Sequence, residues 1–287
     1  PLNFSTYTPG EGFTFESDVL GTKGSSFDII ESARRAESIG KTYEQAEIIE
    51  READEQTADA DRVEELGDKE AAISARKLSA ERRLEARQLR KEADKQGGDS
   101  SANSLKYFEQ ALKIYQEFAK NYPEDPLRDE ALYKTGEMLE HLARYWDAYE
   151  AYKKLVEQTT AGRWWDPAIE RIFSIGNVFL AGQPQMLWKI PMPADMNKVV
   201  KIYETILRVA PFGPYAPLAT FSCGLAREKQ KKWPEAVRFY EEVLDKYPKN
   251  DLVDDAQYQI GFVWMKAARE PQYDQTAAQK GIEAFQD

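Results

Sequence analysis

A single cysteine (Cys223), a single histidine (His141) and the lack of any apolar run near the roughly 20 residues of a bilayer-spanning helix mark this 287-residue sequence. Cys223 cannot close an internal disulfide. Between Ser222 and Gly224 in a helical pattern, it reads as a packed small residue. So few soft ligands and imidazoles exclude most metal and redox designs, and no metal site or cofactor is expected. There is no His-Glu-x-x-His, no cysteine pair and no glycine-rich phosphate loop. His141 follows Glu140 with no serine or cysteine nucleophile near it in sequence, and reads as a surface residue rather than a general base. The acid pairs Asp254-Asp255 and Glu241-Glu242 are adjacent and so diverge around a helix. No catalytic residue is expected, and the chain reads as a non-enzyme. Basic charge is also short: 39 Lys and Arg against 50 Asp and Glu leave a net −11, which repels phosphate backbones and argues against nucleic acid as a partner.

What is present falls into three regions. Residues 1–27 place Phe4, Tyr7, Phe13, Phe15 and Phe27 among Gly, Ser, Thr and Pro, the composition of an extended aromatic arm. Residues 28–101 change to Ala, Glu, Arg, Lys, Gln and Asp, the composition of long charged helices. Val63, Leu66, Ile73, Ala80 and Leu84 recur at three-, four- and seven-residue steps and suggest a thin coiled-coil seam, interrupted by Glu70 and Lys77. A helical hairpin turning near Thr57–Asp61 would satisfy this. The acidic stretch Glu50–Glu65 and the basic stretch Arg82–Lys95 then either face one another or are simply solvated. Gln96-Gly-Gly-Asp-Ser-Ser101 closes the region as a joint.

Residues 102–287 repeat. Gly136, Ala148 and Tyr152 stand in the same spacing as Gly224, Ala236 and Tyr240, with Pro248 after the second set. Small, small, aromatic, proline is the tetratricopeptide order: the two small residues let helices A and B approach, the aromatic fills between them, and proline ends helix B. Tyr122-Pro123, Asp129-Glu-Ala-Leu-Tyr133 and Gly136 return 125 residues on as Tyr247-Pro248, Asp254-Asp-Ala-Gln-Tyr258 and Gly261. Between Gly176 and Tyr203 the interval is 27 residues instead of 16, so about eleven, Gln183–Pro193, are inserted. The first helix B holds Ala111 and Tyr115 but has no helix A directly before it. Gly40 and Tyr43 look like the end of that helix, which implies a repeat split by the hairpin. The expected fold is all-α: a right-handed tetratricopeptide-repeat superhelix with an inserted long helical hairpin, a short extended N-terminal arm and a last repeat cut short. The opening at Pro1 and the stop inside an amphipathic pattern read as a mature chain that naturally continues.

Tryptophans exceed what a Leu/Ala core needs. Trp233 and Tyr145 each precede a repeat alanine by three and should pack between helices, whereas Trp164, Trp165 and Trp188 align with nothing and serve either partner contact or burial. Ala210-Pro-Phe-Gly-Pro-Tyr215, Lys232-Trp-Pro-Glu-Ala236, Lys246-Tyr-Pro-Lys-Asn-Asp251, Tyr258, Gly261 and Tyr273-Asp-Gln275 resemble the BamD family of outer-membrane protein assembly lipoproteins over residues 195–287 and, more loosely, 104–182. The resemblance implies a periplasmic scaffold, held at the outer membrane by a lipid anchor upstream of Pro1, whose partners are the barrel assembly protein and unfolded outer-membrane clients. It also implies a binding patch at Phe212, Pro214 and Tyr215, residues that equally could only shape a turn between two helices. The alternative is a general adaptor of cell-wall or division machinery.

Overall fold

Ser25 opens the helical body of the chain. In the computed structural model, backbone and side chains are described for residues 25–97, 103–159, 161–182, 195–268 and 279–284, and backbone alone for 4–8, 12–16, 23–24, 185–187, 190–192 and 275–278. The described elements are, in order, strands β1 (Phe4–Thr8), β2 (Gly12–Glu16) and β3 (Lys23–Ser25) and helices α1 (Ser26–Glu65), α2 (Lys69–Gly97), α3 (Ser104–Asn121), α4 (Arg128–His141), α5 (Tyr145–Gln158) and α6 (Trp165–Leu180). Strands β4 (Gln185–Leu187) and β5 (Ile190–Met192) follow, then α7 (Met196–Val209), α8 (Ala216–Lys229), α9 (Trp233–Lys246), α10 (Leu252–Ala267) and α11 (Gln275–Ala284). The N-terminal strands pair antiparallel in the order β1-β2-β3, and β4 pairs with β5 inside the insertion. The body is all-helical, as the repeat pattern implies. Two compact units divide the chain, Pro1–Arg144 and Tyr145–Asp287.

In the first unit, Ser25 caps α1 with a capping box: its hydroxyl accepts from the Asp28 N–H, and its own N–H donates to the Asp28 carboxylate at 2.8 Å. Gly40 and Tyr43 do not end the helix, as the repeat pattern suggested. Residues 44–65 are helix formers without proline, and α1 runs on to Glu65. The chain then reverses at Leu66-Gly67-Asp68 rather than near Thr57–Asp61. Gly67 takes the left-handed conformation at φ 96° that a helix C-terminus asks of glycine, and the Asp68 carboxylate accepts from the Ala71 N–H at 3.0 Å. Thr57 stays helical, donating to the Ala53 carbonyl at 2.9 Å.

The hairpin seam also differs from the sequence reading. Leu66, Ile73, Ala80 and Leu84 are exposed, and Val63 is half-buried. The buried residues are instead Ala46, Ala53 and Ala60 on α1 and Ala72, Ser79, Ala86 and Ala93 on α2, each set spaced by seven. Side chains this small let two backbones approach closely, and the Ser79 hydroxyl donates to the Ala53 carbonyl across the seam at 2.8 Å. The acidic and basic stretches do face one another: Arg83 pairs with Asp54 at 2.9 Å, Arg90 with Glu50 at 2.6 Å and Arg82 with Glu52, while Arg76, ahead of the basic stretch, pairs with Asp61 at 2.7 Å.

Below the hairpin, α1 serves as the missing helix A for α3. Gly40 lies against Phe108, where a methyl group would sit 2.8 Å from the ring. Tyr115 meets α1 one helical turn before Gly40, donating to Glu37 at 2.8 Å. The Glu47 carboxylate receives the Ser104 N–H and hydroxyl at the start of α3. Residues 47–65 therefore extend past the start of α3 by about 27 Å at 1.5 Å per residue.

The second unit repeats one packing device. A methyl group on Gly224 would lie 2.5 Å from the Tyr240 ring, and one on Gly176 would lie 2.6 Å from Tyr203. Only glycine admits these rings so close to the helix A backbone. The second contact confirms that Tyr203 belongs to the repeat of Gly176 despite the insertion between them. Tyr240 is fully buried with Trp233, Val237, Val243, Ile260 and Val263, so Trp233 packs between helices as its alignment implied. Cys223 is buried too, and burial pushes its thiol far above the ordinary range.

Candidate functional site

Three elements of the second unit meet at their ends: the first turns of α6, the last turn of α7 and the loop leading into α8. Val209 ends α7 before Pro211, and Pro217 sits in the first turn of α8, where its missing N–H is harmless. The turn between them is held by the Gly213 N–H on the Ala210 carbonyl at 3.0 Å and the Ala216 N–H on the Gly213 carbonyl at 3.1 Å. Just past α9, the Tyr247 hydroxyl donates to the Pro211 carbonyl at 2.9 Å and fixes the loop from outside. Pro211 and Pro217 thus stand on either side of the turn that joins α7 to α8.

The same turn is also the wall of a cleft of about 700 Å³, lined by Trp165, Pro167, Ile169, Ile206, Phe212 and Tyr215 among others. Trp165 is positioned by its indole N–H, which donates to the Val156 carbonyl at 3.3 Å. Tyr215 is braced by the Phe173 ring at 5.2 Å between centroids. Phe212 is 86% exposed, an unusual position for a phenylalanine unless something covers it. Asp166 and Glu170, one turn apart on α6, give the apolar cleft an acidic rim; both are exposed and make no ion pair among the described residues. Burial, and then the charge of Glu170, raises the Tyr215 phenol above its ordinary range.

Of the residues picked from sequence, Trp165, Phe212, Pro214 and Tyr215 come together in this cleft. Trp164 caps α6 beside it, its ring carrying the Arg163 guanidinium at 4.9 Å, and is not part of the lining. Trp188 lies outside the described residues. The acidic rim escaped the sequence reading, although Trp164-Trp165-Asp166-Pro167 was visible and Glu170 follows Asp166 by four, on the same helix face.

A second, polar groove of about 430 Å³ in the first unit is lined by Arg34, Glu37, Ser38, Lys41, Thr42, Gln45 and Lys134. Its charges satisfy one another. Glu37 accepts from Lys41 at 2.6 Å, Lys134 at 2.9 Å and Tyr115 at 2.8 Å, while Arg34 pairs with Glu130 at 2.6 Å. This is a part-buried brace joining α1, α3 and α4. His141 is likewise not the surface residue the sequence suggested: its ring stacks on Phe108 at 4.3 Å and its Nδ1 lies 2.9 Å from Glu44. Among the described residues, no group of three or more His, Cys, Asp or Glu is placed to hold a metal ion. No described helix is long and apolar enough to cross a membrane.

Residues 106–162 and 224–250 match the tetratricopeptide repeat family. No curated protein matches the chain. Similar solved structures include MamA from Desulfovibrio magneticus RS-1, at 17% identity and TM-score 0.33 over 63% of this chain and 85% of that one. YrrB, a tetratricopeptide protein with an unusual peptide-binding site, is similar at 17% identity and TM-score 0.32 over 64% of this chain and 81% of that one. A tetratricopeptide repeat protein from Parabacteroides merdae is similar at 13% identity and TM-score 0.28 over 82% and 79%. Two stretches of the chain are thus tetratricopeptide repeats, and the helix pair between them, with Tyr203 set against Gly176, is built on the same contact.

Proposed function

We propose that the protein is a non-catalytic adaptor whose Trp165–Tyr215 cleft holds an apolar anchor from an extended segment of a partner protein. Asp166 and Glu170 favour a lysine or arginine next to that anchor. The observation that carries this reading is the pairing of a preformed apolar cleft with an exposed Phe212 at its mouth, the arrangement that concentrates binding energy in a few aromatic residues. The run that forms the wall, Ala210–Tyr215, is also the one that resembles BamD. We extend the proposal on that ground to a periplasmic scaffold of outer-membrane protein assembly, receiving the barrel assembly protein or its unfolded clients.

The test places a photocrosslinking residue at position 212 of the full-length protein in its native envelope, with the crosslinked partner identified by mass spectrometry. Crosslinking to the barrel assembly protein or to outer-membrane clients, reduced by Trp165→Ala, supports the whole reading. Crosslinking to cell-wall or division enzymes keeps the adaptor and its cleft but sinks the assembly role. Absence of any protein crosslink, with the fold intact by circular dichroism, overturns the cleft as a docking site.

A further inference from the structure

With the alanine seam buried, the apolar residues of α2 that looked like a seam in sequence are left on its outer flank. Ile73 is 67% and Leu84 57% exposed, with Ala80 exposed between them. At 100° per residue these three, with Lys77, Arg87 and Lys91, fall within one narrow stripe, rather more than a third of a turn from the seam. The arginines of the seam are occupied by α1: Arg76, Arg82, Arg83 and Arg90 each pair with an Asp or Glu there. Lys77, Arg87 and Lys91 make no ion pair among the described residues. A chain of net charge −11 therefore presents, on its projecting hairpin, a stripe of aliphatic side chains interleaved with three unpaired cations.

We infer that this stripe is a docking surface for an acidic amphipathic helix of a partner protein, laid along α2 as a third helix of the arm. The charge selects the class of partner, because a helix carrying Asp or Glu beside its apolar residues would neutralise all three cations while covering Ile73 and Leu84. The length fits as well: Ile73 to Lys91 spans about 27 Å, five turns of helix. The surroundings disfavour a membrane. The stripe is one helix wide and bordered by Glu70 and Glu81 on one side and by the ion pairs of Arg76 and Arg83 on the other, so a flat anionic surface would meet acids as well as bases.

The experiment replaces Ala80 with p-benzoylphenylalanine in the full-length protein in intact cells and identifies what is crosslinked on illumination. The expected result is a peptide of another protein, acidic and with apolar residues at helical spacing. Its yield should fall about tenfold in a Lys77→Glu/Arg87→Glu/Lys91→Glu variant and similarly in Ile73→Ser/Leu84→Ser. All five positions are exposed, so circular dichroism should show both variants fully helical. Crosslinks to lipid, crosslinks to a second copy of this chain, no crosslink at all, or a protein crosslink indifferent to charge reversal would each overturn the proposal.

Discussion

The hairpin of α1 and α2 and the repeat pair of α8 and α9 are both antiparallel helix pairs, yet they are held by opposite means. The hairpin buries alanines, which contribute little apolar area each, and leaves its larger aliphatic residues outside. The repeat pair buries Tyr240 against Gly224 and surrounds it with Trp233, Phe221 and the valines of α9. A wide, aromatic interface stabilises a body that must hold its shape. A narrow alanine interface holds two helices together while keeping both outer faces free. Close approach of backbones is common to the two, and differs only in which residue, Gly or Ala, permits it.

The largest effect that separates them should come from Tyr240→Ala, which empties a fully buried site and costs about 3–5 kcal/mol in urea unfolding. Overpacking comes next, and should divide the molecule. Gly224→Ala forces a methyl group into the Tyr240 ring and costs about 1–3 kcal/mol. Ala53→Leu costs a similar amount but acts locally. In hydrogen exchange it should lower protection in residues 47–65 and 72–90 and leave α8–α10 unchanged.

The root of the hairpin offers a third comparison, through pH. Burial alone would raise the Glu37 carboxyl, but the hydrogen bonds and charges of Lys41 and Lys134 outweigh it and hold the group below the ordinary glutamate range. A depressed carboxyl binds its proton more weakly folded than unfolded. Its stabilisation is therefore complete above the ordinary glutamate value and is lost as pH falls through the depressed one. Glu37→Gln should destabilise the protein near neutral pH and flatten the acid limb of its stability curve; a limb as steep as in the unaltered protein would show that other carboxylates set it. The smallest effect is at the seam's edge. Arg90→Ala removes an exposed pair and should cost at most about 1 kcal/mol, vanishing in high salt.

The repeats were legible because their contacts are written at fixed spacing in scarce residues. Gly224, Ala236 and Tyr240 identify the α8–α9 pair, and even the displaced Tyr203 could be assigned to Gly176 by counting. The hairpin's existence was legible for a different reason, its composition, but its geometry was not. Alanine is at once the best helix former and a weak apolar residue, so a seam of Ala46, Ala53 and Ala60 is hidden among other alanines while Ile73 and Leu84 draw the eye. The turn at Gly67-Asp68 was readable in principle, as a glycine followed by a capping acid, and was overlooked in favour of the polar run before it. At the cleft, sequence marked the aromatics but not Ile169, Ile206 or the acidic rim, since residues 165–170 and 206–215 meet only in three dimensions.

The seven-residue period of the seam also sets how the arm can change in length. Removing or adding one period in α1 together with the facing period in α2 keeps every alanine opposite its partner and leaves the Gly67 turn and the Glu37 root as they are. Any other step would rotate the small residues out of the interface. The arm therefore behaves as a graduated ruler, one whose reach can be reset only in increments of about 10 Å.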